Sequence, residues 1–193
     1  MTSIIKPSDF LIGYAIPNSK SSFYKNYYSG VDIDFTIQNI WAAYNADTVV
    51  PAKPLLKYIK KLGVTIKYEY TFGDFSDFFK SGKYKVLVLF SHWKNNHVEF
   101  YDGLREISLV SEKIPYESAV ILDLNVCKCD ALRKLLETSR KNLTIKSNND
   151  RYCYPVFWIR YYKYFFQYIS NYNVNFNEAN LQCISNFFIN LEE

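Results

Sequence analysis

Two side chains capable of joint covalent chemistry, His92 and Cys127, each stand just beyond a short apolar run. Residues 86–90 lead through Ser91 to His92, and residues 119–125 lead through Val126 to Cys127. A thiol attacks a carbonyl carbon as the thiolate, yet a free thiol is mostly protonated at neutral pH. An adjacent imidazole corrects this by taking the proton or by stabilising the anion as imidazolium. In this pairing Cys127 is the nucleophile and His92 the general acid/base. The chain has only two histidines, and one of them stands at the tip of its strongest strand candidate.

For the pair to meet, both runs must be strands of one sheet, side by side and parallel. Both have the length and the Val/Ile/Leu content of buried strands. Open α/β sheets carry their sites beyond the carboxyl ends of the strands. A helix expected over residues 130–138, with Leu132, Leu135 and Leu136 inward, would also put Cys127 near a positive helix end that favours the thiolate. Alternation along the strand places Asp123 and Asn125 on the same side as Cys127. Asp123 is thus a candidate to orient a partner or line a substrate pocket, or a buried acid bonded to backbone. Each reactive residue has a rival. His97 stands in a polar stretch expected to face solvent, and Cys129 is expected to face the packing surface of the helix.

The remaining elements alternate strand and helix. Residues 10–16 and 64–70 read as strands, and residues 35–44 and 73–79 as helices. Pro54 opens a further helix that Gly63 closes. Residues 98–103 form a hairpin or edge element turning at Asp102 and Gly103. A short strand is expected at 143–145 and another at 152–157. Two aromatic helices follow, over 158–170 and 177–191, the second capped by Asn177. Residues 17–50 read largely as a long surface excursion, and the whole of 1–193 as a single domain.

Composition narrows the function classes. The formal charge is +4 with scattered positive residues, which argues against direct nucleic-acid binding because no dense basic stripe or known module is visible. The aromatic share is 19% and is expected mainly in the core. Cys127, Cys129, Cys153 and Cys183 are too few and uneven for a disulfide framework, and the spacing of the first two is too close for a zinc knuckle. No metal and no organic cofactor are expected. No apolar stretch reaches the roughly 18 residues of a membrane span, and the N-terminus lacks signal-peptide features. The expected compartment is the cytoplasm. Six glycines that never cluster argue against a phosphate-binding loop.

Taken in order, several motifs resemble the CHAT domain, a branch of the caspase-like (clan CD) cysteine peptidases. Ser91 and His92 match its hydroxyl-His motif, and Phe100, Tyr101, Asp102 and Gly103 resemble the turn that follows. Leu124, Asn125, Val126 and Cys127 are similar to its Leu-Asn-Ala-Cys. Trp158 with residues 164–168 resembles its aromatic helix, and residues 174–179 its closing helix start. The resemblance spans residues 50–190. It implies a caspase-like three-layer sandwich, with a mostly parallel sheet of about six strands flanked by helices. It also implies a cysteine endopeptidase acting on a protein substrate, activated by a separate protein in a bacterial defence or stress system. Backbone amides near Trp93 and Cys127 would then hold the oxyanion. Trp93 stands where the family carries Gly, and Asn125 where some relatives carry an Asp that selects basic substrates. Loss of the oxyanion hole would leave an inactive interaction module, the alternative reading.

Overall fold

The computed structural model describes residues 3–147 and 154–189. A central sheet contains β1 (Phe10–Tyr14), β2 (Thr65–Tyr68), β3 (Val86–Ser91), β7 (Ile121–Val126) and β8 (Thr144–Ser147). They lie in the order β2-β1-β3-β7-β8, and every neighbouring pair is parallel. β1, β3 and β7 are buried along their whole lengths, which explains their continuous apolar sequences: a parallel strand covered on both faces has no solvent side to alternate toward. The edge strands β2 and β8 are only partly covered.

Strand alternation divides the core in two. Phe10, Ile12, Tyr14, Val86, Val88 and Phe90 face α3 (Val50–Lys61), α7 (Pro155–Asn171) and α8 (Phe176–Ile189). Leu87, Leu89, Leu122, Leu124 and Val126 face α4 (Phe72–Ser81), α5 (Ile107–Glu112) and α6 (Asp130–Ser139). The result is a three-layer α/β arrangement. The high aromatic content is largely interior: Phe10 meets Phe166 edge-on at 4.9 Å, and Phe165 and Phe176 pack beside it. A second, antiparallel sheet of β4 (Trp93–Lys94), β5 (His97–Phe100) and β6 (Gly103–Glu106) packs Val98 and Phe100 into the second core.

Several expectations are corrected. Among the described residues the main sheet has five strands, not about six. The strand expected over 152–157 does not form at its carboxyl end, because Pro155 occupies the first turn of α7, where its missing N–H costs nothing; Tyr152, Cys153 and Leu191 lie outside the described residues. Pro54 is inside α3 rather than at its start. A π-helical turn, Asn45–Val49, joins α2 (Phe35–Tyr44) directly to α3, the kind of local unwinding that accommodates irregular hydrogen bonding next to proline. Residues 17–50 carry α1 (Lys20–Tyr27), capped by Ser19, ahead of α2, which has the bounds expected for the helix over 35–44. α8 is capped by Asn175, which exchanges bonds with Glu178, two positions before the expected Asn177.

Gly13 in β1 lies under the ring of Tyr70, where an added Cβ would approach ring atoms to 2.8 Å. Tyr70 is fully buried and its hydroxyl donates to the Asp74 carbonyl, so it has little room to yield. Gly13→Ala is expected to lower stability by about 1–3 kcal/mol through overpacking, read as a fall in the urea midpoint.

Candidate active site

The register of β3 against β7 pairs Phe90 with Asn125 and Ser91 with Val126. His92 and Cys127 are the next residues on these neighbouring strands. Parallel neighbours lie about 4.8 Å apart, so both residues leave the sheet at one level of its carboxyl edge. This edge adjoins the point where strand order reverses around β1, the usual place for a site in such sheets. α1 follows β1 and brings Tyr27 to this edge, its ring 6.4 Å from that of His92. His92 is half-buried, and burial pulls its pKa below the ordinary imidazole value. The ring is therefore neutral at pH 7 and able to accept a proton.

Cys127 is also half-buried, within a three-residue turn between β7 and α6. Lys128 adopts a left-handed backbone with φ of 52°, a conformation that costs a non-glycine residue about 1–2 kcal/mol. Cys129 caps α6 and is 1% exposed. It belongs to the second core, and burial pushes its thiol up to about 11. Cys183 is buried in the first core and is likewise pushed up to about 11 by burial. Both are thus held as thiols, which leaves Cys127 as the more accessible nucleophile among the described cysteines.

Trp93 begins β4 and packs its ring against the second core. Asn95 and Asn96 both take positive φ, 48° and 60°, and close a two-residue hairpin in which Lys94 pairs with His97. Such a turn matches strand twist. The Glu99 amide donates to the His92 carbonyl at 3.0 Å, so His92–Glu99 and Lys94–His97 are the hydrogen-bonded pairs of this ladder. Trp93 and Val98 form the pair between them, and the Trp93 N–H points away from β5. Its φ is not in the left-handed region. His97 is half-buried near the turn, with Nδ1 2.6 Å from the Asn95 carbonyl.

Asp123 and Asn125 lie on the first-core face of β7, both buried. The Tyr162 hydroxyl and Lys146 Nζ, the latter at 3.0 Å, both donate to Asp123, and Asn125 Nδ2 lies 3.3 Å from it. Lys146 also lies over the Tyr161 ring at 4.9 Å. These groups fasten β7 to β8 and α7 upstream of Cys127.

Sequence reasoning missed Glu99 and Tyr27. Glu99 is half-buried and shares the outer face of the small sheet with His97 and Lys94. Burial raises its carboxyl to about 7, although the Tyr27 hydroxyl and Lys94 act in the opposite direction. Alternation of His97 and Glu99 against Val98 and Phe100 was the available signal. Glu99 and Tyr27 also border a cavity of about 550 Å³, with Lys25, Lys94, Tyr101 and Asp102 on its walls. His92 and Cys127 do not line it.

Among the described residues no helix is long and apolar enough to cross a membrane, and no group of three His, Cys, Asp or Glu could hold a metal ion. The sequence matches no protein-family model, and no curated protein matches it significantly.

Proposed function

We propose that the protein is a caspase-like cysteine endopeptidase acting through a His92–Cys127 dyad. The observation that carries this reading is the β3–β7 register, which pairs Ser91 with Val126 and so brings the residues that follow them to one carboxyl edge of a parallel sheet. The neutral state of His92 suits proton removal from Cys127. The thiolate would then attack the scissile carbonyl, and the same proton would return to the leaving amine. On this reading backbone amides near Trp93 and Cys127 hold the oxyanion, the Trp93 amide being directed away from the β4–β5 ladder. Asp123 is committed to Lys146 and Tyr162, so on this reading it supports the strand beneath the site, and Asn125 lies between that cluster and the nucleophile. The substrate would be a protein cleaved in trans, with a separate activating protein in a bacterial defence or stress setting. A cytoplasmic location fits this reading.

The alternative, an inactive caspase-like interaction module, is favoured by the bulk of Trp93 beside His92. Thiol labelling separates the two. Iodoacetamide is expected to modify Cys127 before Cys129 and Cys183, with a rate that falls on His92→Ala substitution, read by peptide mass spectrometry. Equal, slow modification of all three cysteines, unchanged by the substitution, would remove the peptidase reading.

A further inference from the structure

The antiparallel ladder makes Glu99 the direct cross-strand partner of His92, joined by the 3.0 Å bond from the Glu99 amide to the His92 carbonyl. Side chains opposite one another in such a pair share a face, with Cβ atoms about 4.5–5.5 Å apart. The Ser91 hydroxyl donates to the Glu99 carbonyl and holds β3 and β5 together at this point. Tyr27 reaches both members of the pair: its ring packs against His92, and it borders one cavity with Glu99, whose ionised form its hydroxyl favours. α1 and β5 thus meet at the residue that carries the imidazole.

We propose that Glu99, beside Tyr27, is the positioning residue that sets the charge of His92. This rests on the proposed dyad. When Cys127 loses its proton, the S–H electron pair stays on sulfur and the proton moves to a His92 ring nitrogen. An ionised Glu99 favours the resulting imidazolium; a protonated Glu99 does not. The titratable and charged groups around Glu99 are Tyr27 and Lys25 from α1, Tyr44 from α2, Lys94 from β4, His97 along β5 and Glu106 opposite it on β6. Because Glu99 titrates near 7, its carboxylate is present above that pH and lost below it. The His92–Cys127 ion pair is therefore reinforced as pH rises through about 7.

The test uses the intact chain and needs no substrate. Iodoacetamide alkylation of Cys127 is followed from about pH 5 to 9 beside an NMR titration of His92. The set comprises the wild type and the His92→Ala, Glu99→Gln, Glu99→Asp and Tyr27→Phe variants, each checked for folding by circular dichroism. Glu99→Gln is expected to remove a step near pH 7 from the His92 ring signals and to slow alkylation at pH 8 about tenfold, the equivalent of one pKa unit. The difference from wild type should vanish at low pH, where Glu99 is already neutral. Glu99→Asp should keep the inflection, and Tyr27→Phe should move it to higher pH because the hydroxyl that favours the carboxylate is gone. If His92→Ala slows alkylation while Glu99→Gln superimposes on wild type, the inference fails and the dyad stands. If His92→Ala has no effect, the dyad falls. The His92 ring signals then still decide the pairing, since the absence of a step near pH 7 that Glu99→Gln removes overturns it.

Discussion

Cys127→Ala is expected to abolish peptide hydrolysis, and His92→Ala to lower it by about 10²–10⁴-fold, the usual contribution of a positioned general base. The measurement is cleavage of a peptide or denatured-protein mixture, read by the appearance of new amino termini. Cys129→Ala serves as control. Cys129 is buried with its thiol pushed up to about 11, so its loss removes a core contact and no nucleophile. The pH profile has a sign that can be worked out. Burial lowers the His92 pKa, so the ring remains a proton acceptor below the ordinary imidazole range near 6.5. The acid limb controlled by His92 should accordingly fall on the acidic side of that value. A limb at higher pH that survived Glu99→Gln would contradict the burial of His92.

Asp123→Ala is expected to destabilise the fold by about 3–5 kcal/mol, because it strands a largely buried ammonium. Lys146 is 17% exposed in its side chain and Asp123 1%. The Tyr162 hydroxyl loses the same partner. Natural domains have only about 5–15 kcal/mol of net stability, so the single substitution removes a large part of it. Urea unfolding is the measurement. The paired replacement Asp123→Leu with Lys146→Met is expected to cost less than Asp123→Ala alone, since apolar groups of similar size leave no unpaired charge. Equal loss in both variants would show that volume, rather than charge compensation, governs this position.

Much of the scaffold was legible in the sequence because central parallel strands announce themselves. The runs ending at Ser91 and Val126 are continuous and apolar, and their burial on both faces explains why. The positions of His92 and Cys127 at neighbouring strand tips followed from that pattern. Elements whose sequence mixes signals were harder. Val156 and Phe157 favour strand by residue type, yet Pro155 starts a helix whose aromatic face is fixed by packing on β1. Residues 17–34 carry many turn formers, and only the Ser19 cap and the packing of Phe23 on Trp41 and Tyr44 make α1 a defined element. Glu99 was hidden for a different reason. Its importance depends on a cross-strand pairing set by two asparagines in left-handed conformation, and local sequence weighs such a turn only once its strands are known.

The all-parallel order of the main sheet also bears on how the chain acquires its chemistry. Parallel neighbours cannot be joined by tight turns, so each pairing waits for a crossover to close, and such non-local topologies assemble slowly. β3 and β7 are 35 residues apart at the paired positions Ser91 and Val126. A nascent chain still lacking β7 can set β3 beside β1, but it has no Cys127 to bring to His92. Synthesis toward the carboxyl terminus therefore keeps the proposed pair apart until β7 has been made. Cys127 reactivity, followed on chains arrested at increasing lengths, would serve as a clock for the moment the central sheet closes.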